Sequence, residues 1–198
     1  MLTRLILIRH GITTWNKQER YCGCKDINLS KEGRAQAEKL CKILKKVKFE
    51  RIYSSDRKRA LQTSRIVFPD ARIIKVKALR EINFGVLEGF THEEIMKKYA
   101  PIYQKWLNAP FKYCLPKAEP LVKFKKRIQD AVKKIVRLNR GKTMAIICHG
   151  GSIGILVGSI LKSKNFWRYV PSAASMTILE YKNDRPRIKK FNQKNHLR

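Results

Sequence analysis

Two short apolar runs, Leu5-Ile6-Leu7-Ile8 and the segment 143–148, each break off at a histidine followed by glycine, in Arg9-His10-Gly11 and in His149-Gly150-Gly151. A run of this length without polar alternation reads as a strand buried on both faces, the condition of strands in a parallel sheet covered by helices. The rest of the chain keeps that rhythm. Ser30 is placed to cap a helix whose apolar positions Ala37, Leu40, Cys41, Leu44 and Val47 recur at helical spacing. Residues 49–53 alternate as a short strand, Ser54-Ser55-Asp56 supplies a turn, and residues 57–67 form a helix ended by Pro69. A weaker strand over 72–76 precedes a capping box, Thr91 with Glu94, that starts a helix over 92–99, and a second short helix begins at Pro101.

Leu121, Phe124, Ile128, Val132 and Ile135 make one apolar stripe along a long basic helix over 120–140, closed by Gly141. A further helix covers 152–161, and strands over 176–181 and 187–191 are joined by a turn around Asn183 and Asp184. Strands alternating with helices predict an α/β fold, a single three-layer α/β/α domain over residues 1–198 with a largely parallel sheet and helices on both faces. Ligands of such sheets bind outside the carboxyl ends of the strands, where Arg9-His10, residues 54–59 and His149-Gly150 all fall.

Composition excludes several classes. The longest nearly uncharged apolar run, residues 150–161, is far short of the ~20 residues that cross a bilayer. The apolar run near the N-terminus is too short for a secretion signal, so a cytoplasmic protein without a membrane partner is expected. Five cysteines, at 22, 24, 41, 114 and 148, fit neither a disulfide framework nor a Cys-x-x-Cys metal pair, and reduced thiols are expected. Lys and Arg total 45 against 15 Asp and Glu, a formal charge of +30. Such a surface attracts polyanions nonspecifically and concentrates small anionic substrates. The basic residues are spread along the chain rather than gathered on one element with stacking aromatics, which favours solvated faces over dedicated nucleic-acid recognition. The sequence does not set the oligomeric state; a dimer is compatible with it.

Arg9-His10-Gly11 with Thr14-Trp15-Asn16 puts a guanidinium, an imidazole, a flexible glycine and an amide in one loop, and Arg59 and His149 arrive from two other strand ends. Two arginines suit a phosphate, because the planar fork pairs with its oxygens. No Walker sequence, Asp-x-Asp or His-Glu-x-x-His motif occurs, so the sequence offers no basis for metal-assisted transfer. Histidine is left as the nucleophile, with no metal and no cofactor expected.

Leu7-Ile8-Arg9-His10-Gly11-Ile12-Thr13-Thr14-Trp15-Asn16, Tyr21-Cys22-Gly23, Leu29-Ser30 with Gly33, Tyr53-Ser54-Ser55-Asp56 leading to Arg59-Ala60-Leu61-Gln62-Thr63, Leu79-Arg80-Glu81-Ile82-Asn83-Phe84-Gly85 with Glu88-Gly89, and Cys148-His149-Gly150-Gly151 follow in an order that resembles the histidine phosphatase superfamily, the phosphoglycerate-mutase-like group. The resemblance covers nearly the whole chain. It implies that His10 attacks phosphorus to form a phosphohistidine that water hydrolyses. Arg9, Arg59 and His149 would bind the phosphoryl oxygens with Asn16 as a neutral donor. Glu81 would protonate the leaving oxygen and then activate water. Cys22, Gly23 and Gly150 would border the substrate. Arg57 is expected to face solvent, as are His92 and His196, and Cys148 to be a small buried residue. Glu119 matches an acidic position common in the group, but its neighbours Ala118 and Pro120 depart from the pattern and leave that turn without a role.

The compact chain resembles the small phosphatase branch, and Phe166-Trp167-Arg168 with Ser175-Met176-Thr177-Ile178 points to an α-ribazole phosphatase. The same core serves phosphoserine, sugar-phosphate and broad-specificity phosphatases and phosphoglycerate mutases, because substrate choice sits in the variable segment around residues 90–120. A small phosphomonoester is the expected partner. The +30 charge leaves open a second class, a polyanion- or nucleic-acid-binding protein on a phosphatase fold.

Overall fold

In a computed structural model, which describes residues 1–197, six strands make one sheet: β1 (Leu2–Arg9), β2 (Arg51–Ser54), β3 (Ile73–Lys75), β4 (Thr143–Cys148), β5 (Met176–Lys182) and β6 (Arg185–Gln193). Their order is β3-β2-β4-β1-β5-β6; the first four pair in parallel, and the β1–β5 and β5–β6 ladders are antiparallel, so β5 alone runs against the rest. The helices are α1 (Thr14–Lys17), α2 (Lys31–Leu44), α3 (Lys58–Val67), α4 (His92–Asn108), α5 (Leu121–Leu138) and α6 (Gly150–Ile160).

Alternate residues of the central strands explain the layers. Leu5, Leu7, Met144 and Ile146 pack with apolar side chains of α4, α5 and α6, whereas Ile6, Ile8, Ala145 and Ile147 pack with Ala37, Leu40 and Leu44 of α2 and with Ala60 and Val67 of α3. Both faces of β1 and β4 are thus apolar, as the unbroken runs require. The three-layer expectation holds.

Local signals place most boundaries. The Ser30 hydroxyl accepts from the Gly33 amide, and Thr91 and Glu94 form the reciprocal capping box of α4. The expected second helix at Pro101 is present: α4 is two helical pieces, the first from His92 broken at Tyr99 (φ −132°, ψ 18°), outside the helical region, and the second continuing from Pro101. The turn between β5 and β6 is two residues, Asn183 and Asp184, both at positive φ (50° and 60°), the pattern of a type I′ hairpin.

Three boundaries differ from expectation. The helix α2 stops at Leu44, leaving Val47 exposed beyond two lysines. Arg57 lies outside α3 as its N-cap. The helix α6 starts at Gly150, two residues early, so its first turn abuts the end of β4. Strand β6 is an exposed edge bearing Arg185, Arg187, Lys189 and Lys190. Among the described residues, no helix is long and apolar enough to cross a membrane.

Candidate active site

The floor of the site is made by strand pairing. Arg9 lies opposite Cys148 in the β1–β4 ladder, so His10 and His149 leave adjacent strands side by side. The His10 amide donates to the Cys148 carbonyl at 3.0 Å, and the two imidazoles meet edge-on with centroids 5.2 Å apart. Arg59, in the first turn of α3 and 1% exposed, reaches both: its Nε donates to His10 Nε2 (3.3 Å) and to His149 Nδ1 (3.2 Å). Its Nη1 donates to the Lys25 carbonyl and its Nη2 to the Gly23 carbonyl, each at 2.9 Å. A guanidinium carries five N–H groups, so two remain for an anion.

Protonation states follow from these contacts. His10 Nδ1 donates to the Gly11 carbonyl at 2.8 Å, which leaves the lone pair on Nε2, facing Arg59. Burial first, then the charges of Arg59 and Arg9, hold the His10 pKa well below 6.5. His149 is depressed in the same way, by burial and then Arg59, and its Nε2 donates to the Ser55 hydroxyl at 2.8 Å.

Glu81 is 8% exposed. Its Oε2 accepts from the Gly151 amide (2.7 Å) and its Oε1 from the Ile82 amide (3.0 Å), yet burial outweighs both and raises its pKa above 4.5. A side chain at Gly151 would collide with this carboxyl, which is why α6 opens on glycines. Arg9 donates from Nη1 to the Pro171 carbonyl and has a buried Nε with no protein partner. Gly150 packs against the same guanidinium: a Cβ there would lie 3.2 Å from Arg9 Cζ.

Arg9, His10, Arg59, His149 and Glu81 therefore converge. The other candidates are less direct. The Asn16 Oδ1 accepts from the Thr13 amide and hydroxyl in a capping box for α1, so its first task is local structure and only its amide NH2 is available to a ligand. Cys22 is half-buried beside Arg59, its thiol pKa raised chiefly by burial, and Gly23 contributes its carbonyl to Arg59. Cys148 is buried, with its thiol pushed up to about 12.

Several expectations need correction. Arg57 does not simply face solvent: it is half-buried, and its Nε is buried without a partner. His196 is half-buried too, bonded to the Ala174 carbonyl at 2.9 Å. The turn at Glu119 has a role, since this carboxylate holds Arg127 through two bonds of 2.6 and 2.7 Å, and Arg127 in turn donates to the carbonyls of Ala78, Arg80 and Glu81. Glu88 has a task that its motif does not announce: its carboxylate accepts from the amides of Cys24 and Lys25 and so fixes the loop whose carbonyls Arg59 uses. Among the described residues, no cluster of three His, Cys, Asp or Glu side chains is placed to hold a metal.

Residues 5–194 match the family model described as histidine phosphatase superfamily (branch 1). The chain belongs to the histidine phosphatase superfamily. Its likeness to phosphoserine phosphatase 1 of Hydrogenobacter thermophilus runs over 99% of this chain and 95% of that protein at 28% identity. Among solved structures, phosphoserine phosphatase of Entamoeba histolytica in complex with 3-phosphoglyceric acid superposes with a TM-score of 0.88 at 29% identity, covering 98% of this chain and 99% of that one. The α-ribazole phosphatase of Shigella flexneri superposes with a TM-score of 0.86 at 24% identity over 96% of each chain, a likeness that shows the fold. The histidine phosphatase assignment makes this protein an enzyme of phosphate-ester chemistry acting through a phosphohistidine.

Proposed function

We propose that this histidine phosphatase is a metal-independent phosphomonoesterase in which His10 is the nucleophile. The observation that carries the reading is the neutral His10 ring, its Nδ1–H committed to Gly11 and its Nε2 lone pair held at the Arg59 guanidinium. Attack by Nε2 on phosphorus displaces the ester oxygen, which takes a proton from Glu81. Arg9, Arg59 and His149 hold the phosphoryl oxygens as charge moves onto them. Glu81, now a carboxylate, removes a proton from water as it attacks the phosphohistidine, releasing inorganic phosphate and restoring both groups.

The substrate we favour is a small phosphorylated hydroxy or amino acid, supported by the full-length likeness to phosphoserine phosphatases. The α-ribazole 5′-phosphate reading from sequence is the second. An aromatic cleft of about 540 Å³ bordered by Tyr21, Trp106, Phe166 and Trp167 favours it, since these rings could stack on a planar heterocycle.

One experiment tests both levels. EDTA-treated protein is assayed with phosphoserine, 3-phosphoglycerate, α-ribazole 5′-phosphate and p-nitrophenyl phosphate, with rapid acid quenching to trap an acid-labile phosphoryl group. Turnover without metal and label on His10 are expected; activity that vanishes with EDTA and returns with a divalent ion would overturn the mechanism. Product analysis with 3-phosphoglycerate separates hydrolysis from mutase activity. Cytoplasmic residence belongs to the same reading.

A further inference from the structure

A cleft of about 560 Å³ opens beside Glu81, walled by Cys24, Arg57, Lys77, Arg80, Asn83 and Arg127, with Glu119. Its polar groups can be accounted for one by one. Arg80 makes a two-pronged pair with Asp56, and Arg127 is consumed by Glu119 and three carbonyls. Asn83 spends its amide on the Lys117 carbonyl and its oxygen on the Gly85 amide. The carboxylates of Asp56 and Glu119 are thereby neutralised, while Glu88 accepts from the amides of Cys24, Lys25 and Phe84 and Asp26 from that of Lys58.

Two cations are left over. Among the described residues, neither Arg57 nor Lys77 is in an ion pair. Lys77 is exposed at the rim. Arg57 is different, because its Nε is buried with no hydrogen-bond partner, a costly state for a charged donor unless a ligand relieves it. It caps the helix that carries Arg59, touches Cys24 and projects its charge onto Cys22 and His149. The Arg57 guanidinium, in no ion pair, therefore lines a cleft that Glu81 also borders.

We propose that this cleft is a subsite for a second anionic group of the substrate: Arg57, with Lys77 at the rim, binds a carboxylate on the leaving group while the phosphoryl group lies at His10. The inference rests on the phosphomonoesterase reading and deepens it by naming what Arg57 recognises. Because Glu81 borders both the cleft and the reacting centre, the carboxylate must be a few bonds from the ester oxygen. The planar fork of arginine suits a carboxylate, whose two oxygens it can bond together. An alcohol of the same size without a carboxylate would leave Arg57 unpaired, and unpaired buried groups are the strongest source of discrimination.

Matched substrate pairs read this directly: phosphoserine against phosphoethanolamine, and 3-phosphoglycerate against glycerol 3-phosphate. Wild type should favour the carboxylate-bearing member of each pair in kcat/KM. Arg57→Leu should reduce that preference at least about tenfold, mainly through KM, the scale of one lost charge-assisted pair. Arg57→Lys should keep an intermediate preference, and it decides the matter if the leucine variant does not fold. Equal kcat/KM within the pairs for wild type, or a preference untouched by Arg57→Lys and Arg57→Leu, would overturn the subsite. Preferred turnover of α-ribazole 5′-phosphate, indifferent to Arg57→Lys, would overturn it too. Failure of the underlying reading looks different: no phosphomonoester, p-nitrophenyl phosphate included, would be hydrolysed, and no label would appear on His10.

Discussion

The floor and the wall of the site are built by different physics. The floor, His10 and His149 at the ends of β1 and β4, is a consequence of strand register, with backbone bonds holding both residues beside the same arginine. The wall, formed by residues 22–26, Arg57, Glu81, Glu88, Glu119 and Arg127, is held by side chains that clasp carbonyls and amides from distant segments. A register admits one answer for each residue; a network of side-chain clasps can change composition while keeping its task. On the proposed mechanism, reaction chemistry sits on the floor, and substrate choice has room to vary in the wall.

The largest expected effect breaks the floor. His10→Ala should lower kcat by at least about 10⁴-fold and abolish the acid-labile label, as for other lost nucleophiles. Near-normal rates in this variant would move the chemistry elsewhere. Glu81→Gln, where floor and wall meet, should cost about 10²- to 10³-fold on alkyl phosphates and much less on p-nitrophenyl phosphate, whose leaving group needs no proton. Equal losses on both would make Glu81 a structural residue.

The same two groups set the pH profile of kcat/KM. Attack needs neutral His10 and departure needs protonated Glu81, so the acid limb belongs to His10 and falls below 6.5, and the alkaline limb belongs to Glu81 and lies above 4.5. Glu81→Gln should remove the alkaline limb alone. Stability should follow the histidines in the opposite sense from a paired one. With folded pKa values below 6.5, His10 and His149 let the unfolded chain take up more protons, so stability is lost as pH falls through about 6.5. Melting temperatures compared across that range check the sign.

A smaller effect is expected from the wall itself. Arg127→Met should lower stability by about 2 kcal/mol and kcat a few-fold, since Glu81 keeps its bonds to Gly151 and Ile82 when its own carbonyl loses a partner. A kcat loss as deep as that of Glu81→Gln would mean that the wall, rather than α6, positions the acid. The smallest effect concerns the surface: oligonucleotide binding should be weak at physiological salt, indifferent to sequence and steeply reduced as salt rises. Tight binding of one sequence would restore the nucleic-acid reading.

The floor was legible in the sequence because strand ends and their loops are local features. Apolar runs fixed β1 and β4, and the residues just beyond them had to meet. Arg59 could be chosen over Arg57 from the motif around it. The wall was not legible, because nothing near Glu119 announces that it holds Arg127, and nothing near Arg57 announces that its Nε is buried. Those facts depend on which segments α3 and α5 bring together. Asn16 shows the converse: a residue read as a phosphate donor first completes a helix cap three residues away, a short-range competition that the Thr13-x-x-Asn16 spacing already contains.

Strand β6 lies at the margin of the sheet, where backbone groups could be extended by a second copy of the chain. Arg185, Arg187, Lys189 and Lys190 line that margin, so two copies approaching edge to edge bring like charges together before any backbone bond can form. The repulsion is electrostatic and fades over the screening length of the solution, ~8 Å at physiological salt. Colloidal behaviour thus becomes a property of the medium as much as of the fold: dilute buffer keeps the margins apart, and concentrated salt removes the barrier that guards them.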